Sequence, residues 1–195
     1  MKILFLGPGD SPLIQHLKNL GEAVTNTADR VILDYLHEEK PEFLISYGYR
    51  YILKTEIIAY FLGKAINLHI SFLPWNRGAD PNFWSFLEDT PKGVTIHYLD
   101  AGIDTGDIIV QARVAFTENE TLKTSYEKLQ KRIQELFIKH WQSIRQGTCS
   151  RTKQSGRGTF HLLKDKESFV YLLANGWDTP VKAIGTRAAV NDRGV

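Results

Sequence analysis

Asn67-Leu68-His69 concentrates more chemistry than any other three residues of this chain. Residues two apart on a β-strand point to the same face, so an amide and an imidazole would emerge side by side. A histidine titrates near neutrality and can take a proton from an attacking nucleophile. An asparagine offers neutral N–H donors that can stabilise an oxygen gaining negative charge. A carboxylate set against the imidazole would fix its tautomer and tune its basicity. Asp104 and Asp107, in the loop Ala101-Gly102-Ile103-Asp104-Thr105-Gly106-Asp107, are the candidates for that role. The same residues also have a plain structural reading. A histidine at a strand end is commonly a structural hydrogen bonder, and Asp and Gly are ordinary turn formers. The pattern alone does not choose between the two acids.

Other chemistries are poorly served. The chain has one cysteine, Cys149, in a polar stretch, and no Gly-x-Ser-x-Gly elbow, so Cys or Ser nucleophilic catalysis is set aside. His16, His37, His140 and His161 lack metal-ligand spacing, and no metal is expected. His97 lies inside a strand pattern and reads as packed or surface-facing. Gly7-Pro8-Gly9-Asp10-Ser11 lacks the third glycine of a dinucleotide fingerprint. It reads as a tight turn, with Gly9 and Asp10 candidates for contacting one phosphate of a substrate.

These residues must be held by a framework, and the pattern supplies one. Lys2 to Leu6 is a short apolar strand ended by glycine. A helix follows, with Asp10 or Ser11 as its cap, Pro12 in its first turn and Gly21 as its stop. Residues 28 to 39 read as helix, Phe43 to Ser46 as strand, 54 to 62 as helix and Ala65 to His69 as strand. Such alternation implies βαβ units and a mostly parallel, Rossmann-like sheet. Gly93 to Asp100 and Asp107 to Phe116 read as an antiparallel pair added to the sheet edge. Residues 121 to 146 form the clearest helix, with Leu122, Tyr126, Leu129, Ile133, Leu136 and Ile144 on one stripe. A polar linker over 148 to 158 follows, then an extended piece at Phe160 to Leu163, a helix from about Lys166 to Asn175 and a frayed tail, NDRGV. The expected division is a catalytic domain over 1–147 and a linker with a small helical appendage over 148–195.

Composition bounds the partners. Of 195 residues, 43% are hydrophobic and 24% charged, which is ordinary for a globular domain with its own core. The net charge of +2 is too small to argue for nucleic acid. The basic stretch Arg145 to Arg157 reads as a solvated connection. No segment approaches the roughly 20 apolar residues that span a bilayer, and the opening run is too short for a secretory signal. A lone cysteine fits a cytoplasmic location.

Taken together, three features resemble the folate-dependent formyltransferase family: Asn67-Leu68-His69, then Ser71-Phe72-Leu73-Pro74, then Ile103-Asp104-Thr105-Gly106. Carried over, the resemblance implies a catalytic triad of Asn67, His69 and Asp104, which selects Asp104 over Asp107. It implies a pterin pocket lined by Ser46, Tyr47, Gly48 and Tyr49, with Ile103 and Asp107 beside it. It implies 10-formyltetrahydrofolate as donor and direct attack of an amine through a tetrahedral intermediate, with no covalent enzyme intermediate.

The loop Leu73-Pro74-Trp75-Asn76-Arg77-Gly78-Ala79-Asp80-Pro81 resembles the Arg-Gly-Ala-x-Pro loop of the initiator-tRNA and amino-sugar branches. The glycinamide ribonucleotide branch lacks it. Too little chain follows the long helix for the tRNA enzymes' C-terminal barrel. The expected acceptor is therefore a nucleotide-linked amino sugar, such as a dTDP- or GDP-4-amino-4,6-dideoxy sugar, approached by Pro74, Trp75, Arg77 and Gly78. The appendage is expected to complete the acceptor site or to pair subunits in a homodimer. Two alternatives stand beside this reading. A formyltetrahydrofolate hydrolase would use the same triad with water, but is expected to carry a preceding regulatory domain. A non-catalytic folate-binding module is opposed by the intact triad.

Overall fold

The computed structural model describes residues 1–185. Its elements run β1 (Lys2–Leu6), α1 (Pro12–Asn19), β2 (Ala23–Thr27), α2 (Leu33–Glu39), β3 (Phe43–Tyr47), α3 (Thr55–Tyr60) and β4 (Ala65–His69). They continue with β5 (Arg77–Gly78), α4 (Pro81–Leu87), β6 (Gly93–Tyr98), β7 (Ile108–Arg113), α5 (Leu122–Gln146) and β8 (Phe160–His161). A 3-10 segment, Leu163–Leu172, and a 3-10 turn, Gly176–Asp178, follow.

A six-stranded sheet has the order β2-β1-β3-β4-β6-β7, and β5 pairs with β8 in a separate two-stranded ladder. β1 is parallel to both β2 and β3, and β3 is parallel to β4. The Leu99 N–H bonds the Ala65 carbonyl, so the end of β6 meets the start of β4 and β6 runs reversed. Bonds from Tyr98 N–H to Asp107 C=O and from Val114 N–H to Lys92 C=O make β6 and β7 antiparallel. The mostly parallel sheet with an antiparallel edge pair is the expected architecture.

The chain divides into two compact units. The first comprises residues 1–69, 96–110 and 134–154. Its core gathers Leu4, Leu6, Leu36, Leu44, Ile57, Phe61 and Ala65. Strands buried on both faces read as continuous apolar runs, which is why Ile3 to Leu6 and Phe43 to Ile45 lack alternation. Trp141 on α5 is fully buried and meets Phe43 edge-on, ring centres 5.5 Å apart. The second unit comprises residues 70–95, 111–133 and 155 onward. Phe83, Trp84, Phe86, Leu122, Leu172, Val181 and Ile184 form its core.

Several elements depart from the sequence reading. β2 is a strand that the pattern did not reveal. Its Ala-Val-Thr-Asn-Thr run is polar and only partly buried, so neither alternation nor an apolar run marks it. Consequently α2 begins at Leu33 rather than near residue 28. Ser11 occupies the α1 cap position, but its hydroxyl makes no capping bond. The helix expected from Lys166 to Asn175 is instead the 3-10 segment, beginning at Leu163. Thr186, Arg187 and the tail NDRGV lie outside the described residues.

Candidate active site

The first unit brings Asn67, His69 and Asp104 together. β3 and β4 align Ser46 with Asn67 and Tyr47 with Leu68. Asn67 and His69 share the opposite pleat, so both reach the loop that carries Asp104. The Asn67 amide donates to Asp104 Oδ1 across 3.0 Å. His69 Nε2 lies 3.7 Å from Asp104 Oδ2, an ion-pair distance whenever the ring is protonated. The His69 side chain is 9% exposed and that of Asp104 11%, so this carboxylate works in a site with little water.

The Asp104 loop is shaped by contacts rather than by a bare turn preference. Asp104 itself is left-handed, with φ of 53°, an uncommon conformation for a residue with a side chain. The Asp100 carboxylate accepts from Gly102 N–H (3.1 Å) and from the Thr105 hydroxyl (2.6 Å). Gln154 donates its amide to the carbonyls of Asp104 (2.8 Å) and Gly106 (2.9 Å). A Cβ at Gly106 would fall 1.8 Å from the Tyr98 carbonyl oxygen, which explains why glycine stands two places after the acid.

Sequence reasoning missed two residues here. His97 was expected to be merely packed or surface-facing. It is fully buried, but its Nε2 also lies 3.3 Å from Asp104 Oδ1 and 3.3 Å from Asn67 Nδ2. A clue existed in its position on the strand antiparallel to the one bearing Asn67. Gln154, in the supposedly solvated linker, carried no signal. That linker is engaged elsewhere as well. The Arg151 guanidinium lies 3.6 Å above the Tyr98 ring, and just before the linker, in the last turn of α5, Arg145 Nε bonds Glu22 Oε1 at 2.5 Å. Tyr98 is pushed up to about 12, first by burial and then by its bond to Cys149 Sγ, 3.4 Å from the phenol oxygen.

The expected pterin-side residues are also in the first unit. Ser46 and Tyr47 are buried at the end of β3, and Gln134 donates to the Tyr47 hydroxyl at 3.0 Å. Tyr49 donates to the Asp29 carbonyl (2.8 Å), and burial raises its pKa above the usual phenol value. Ile103 and Asp107 are half-buried. A Cβ on Gly7 would lie 1.9 Å from the Tyr47 carbonyl oxygen, so the glycine-rich turn and the end of β3 touch at the backbone. Asn26, on the unexpected β2, donates to the Phe5 and Gly7 carbonyls (3.1 and 3.0 Å) and so supports this turn. Gly9 and Asp10 are exposed at its tip.

Pro74, Trp75, Arg77 and Gly78 belong to the second unit, where the segment after the linker holds them. Arg77 pairs with Phe160 and Gly78 with His161. Asn76, fully buried, donates its amide to Thr90 Oγ1 at 2.7 Å and accepts from the Thr159 hydroxyl at 3.1 Å. The Trp75 carbonyl accepts from the Ser71 hydroxyl. Gly78 has φ of 86°, and a Cβ there would sit 2.3 Å from the His161 carbonyl oxygen. His161 stacks on Trp84 at 3.9 Å, with the rings nearly parallel. Phe83 and Trp84 are therefore core residues. A cavity of about 160 Å³ opens beside this loop, lined by Asp80, Phe83, Tyr126, Lys166, Leu173 and Trp177 among others. Its charged pair, Lys166 and Asp80, is 3.1 Å apart, and Trp177 is 56% exposed at its edge.

Among the described residues there is no cluster of His, Cys, Asp and Glu able to hold a metal, and no helix long and apolar enough to cross a membrane.

Comparison with known proteins gives a consistent result. The formyl transferase family model matches residues 11–140. The chain is 50% identical to the formyltransferase PseJ of Anoxybacillus kamchatkensis, solved with UDP-4,6-dideoxy-4-formamido-L-AltNAc and tetrahydrofolate. That match has a TM-score of 0.92 and covers 96% of this chain and all of the other. An N-formyltransferase of Helicobacter canadensis, solved with folinic acid and dTDP-3-aminofucose, shares the fold at 23% identity, with a TM-score of 0.67 over 84% of this chain and 71% of that one. Methionyl-tRNA formyltransferase of Clostridium beijerinckii is 33% identical over 139 residues, 71% of this chain and 45% of that protein. The chain thus spans about half the length of the curated relatives it matches.

Proposed function

Because the chain belongs to the formyl transferase family, we propose that it transfers a formyl group from 10-formyltetrahydrofolate to the amine of a nucleotide-linked amino sugar. One observation carries the reading: Asn67 and His69 converge on Asp104 at 3.0 and 3.7 Å, on a chain 50% identical, over 96% of its length, to a formyltransferase solved with a sugar nucleotide.

The residues present suit the donor. Ser46 and Tyr47, at the end of β3, border β4 beside Asn67, and Gly48 follows at φ of 68°, packed near the Pro8 ring. Ile103 and Asp107 complete this side. When bound, 10-formyltetrahydrofolate supplies an electrophilic formyl carbon. Asn67 gives an N–H to the formyl oxygen as it gains charge. His69 takes the proton that the attacking amine must lose. Asp104 orients that imidazole and stabilises it once charged. These groups are fixed before reaction and partly shielded from water, where such interactions act most strongly. Serine and cysteine nucleophiles are not required.

The acceptor reading rests on the second unit. The Arg77-Gly78 loop and the adjoining cavity would receive the sugar nucleotide, with Trp177 and Tyr126 offering aromatic faces. The product bound to the Anoxybacillus protein favours a UDP-linked 4-amino-4,6-dideoxy sugar over the dTDP- or GDP-linked sugars read from sequence. Residues 1–147 would hold the catalytic machinery. The segment from 155 would serve the acceptor side, while residues 148–154 belong to the first unit, where Gln154 supports the acid loop. We place the enzyme in the cytoplasm, in keeping with its lone cysteine.

The test is incubation with 10-formyltetrahydrofolate and a panel of UDP-, dTDP- and GDP-amino sugars, following both tetrahydrofolate release and the mass of each sugar. Formyl gain on an amino sugar supports the reading. Formate release at the same rate without any sugar supports the hydrolase instead.

A further inference from the structure

Asn67 Nδ2, Asp104 Oδ1 and His97 Nε2 form a triangle with sides of 3.0, 3.3 and 3.3 Å. His97 Nδ1 lies 2.8 Å from the Tyr98 carbonyl oxygen. A carbonyl can only accept and an amide NH2 can only donate, so the assignment in which both contacts are hydrogen bonds has Nδ1–H donating to Tyr98 and Nε2 accepting from Asn67. Oδ1 and Nε2 are then two acceptors facing each other in a buried place. The Asn67 amide sits between them and donates to both, which removes their mutual repulsion. Both of its N–H groups are therefore engaged. The His69 ring approaches His97 edge-on, with centres 6.3 Å apart.

We propose that His97 is the positioning residue for Asn67, holding its amide with the nitrogen inward and yielding one N–H to the reacting oxygen. This rests on the formyl-transfer reading above. The two bonds differ in kind. The bond to Asp104 is shorter and charge-assisted, hence the stronger. The bond to His97 is longer and neutral, so it is the one exchanged when the formyl oxygen arrives. The amide then pivots about its Asp104 bond rather than rotating freely. His97 touches no substrate in this account; it acts through Asn67.

The experiment compares His97→Gln with His97→Met, two side chains of similar length, only one of which offers a good acceptor. Expected are near-normal kcat for His97→Gln, a fall of about ten-fold for His97→Met and little change in KM for the folate. In an Asn67→Ala background, His97→Met should cause no further loss, because coupled residues are non-additive. Equal kcat in the two variants, or a full additional loss in the Asn67→Ala background, would overturn the proposal. A second readout needs no turnover. The Asn67 side-chain NH2 resonances of the 15N-labelled protein should move in His97→Met and hold in His97→Gln. Resonances unmoved in both would overturn the clamp even if formyl transfer is confirmed. Resonances that move as expected in a protein without transfer would keep the clamp and sink the reading of function.

Discussion

Asn67 donates its amide to the Asp104 carboxylate across 3.0 Å, although the two residues are 37 positions apart in the chain. The bond ties the end of β4 to the β6–β7 loop and sets a donor, a base and an acid around one point. If that point is where a formyl carbon is attacked, Asn67→Ala and His69→Ala should each lower kcat by roughly two to three powers of ten. Circular dichroism and thermal unfolding should stay close to wild type. Near-normal turnover in either variant would remove that residue from the chemistry.

Gln154 holds the acid loop through the carbonyls of Asp104 and Gly106. Gln154→Ala removes two hydrogen bonds and should cost about 1–3 kcal/mol of stability. Because Asp104 already holds a left-handed backbone, kcat should fall as well, by about ten-fold. Denaturant unfolding and initial rates measure the two effects separately. Gln154→Glu would not repair the loop, since a carboxylate faces two carbonyls there.

How much of this was legible in the sequence depends on the kind of contact. β1, β4 and α5 were readable because burial on both faces, or on one helical stripe, writes itself as a run or a 3.6-residue period. The meeting of Asn67 and His69 with Asp104 rather than Asp107 was legible only by resemblance, since the two acids are equivalent as residue types. β2 was hidden by its polar, half-buried run. His97, Gln154 and the Asn76–Thr159 pairing are set by tertiary register between distant segments, and no local period encodes that. The pairing of the segment after the linker with Arg77-Gly78 was hidden for the same reason: that ladder is only two residues long.

The loop proposed to receive the acceptor gives a separate prediction. Gly78→Ala places a methyl group 2.3 Å from the His161 carbonyl oxygen, at a φ that disfavours side chains. It should disrupt the β5–β8 ladder and raise KM for the sugar nucleotide by ten-fold or more, while folate binding, followed by fluorescence titration, is retained. Arg77→Ala and Trp177→Ala should show the same asymmetry more mildly. Equal damage to both substrates would make the loop scaffolding.

Tyr98 predicts alkaline behaviour. Its folded pKa, pushed up to about 12 by burial first and by Cys149 second, exceeds the ordinary phenol value of about 10. The unfolded chain therefore releases this proton first as pH rises. Tyr98 contributes fully below about pH 10, and stability falls between pH 10 and 12. In Tyr98→Phe the stability curve should be flatter across that window, as read by urea midpoints at successive pH values. An unchanged slope would contradict the shift.

The central claim is that the amine of a sugar nucleotide, not water, receives the formyl group through Asn67, His69 and Asp104. Its most direct measurement is single-turnover transfer from formyl-labelled 10-formyltetrahydrofolate, with and without UDP-4-amino-4,6-dideoxy sugar, in wild type and Asp104→Asn. The account predicts label on the sugar in wild type, negligible formate without sugar, and a loss of about a hundred-fold or more in Asp104→Asn. Label recovered as formate whether or not the sugar is present would contradict it, as would transfer that is indifferent to Asp104→Asn.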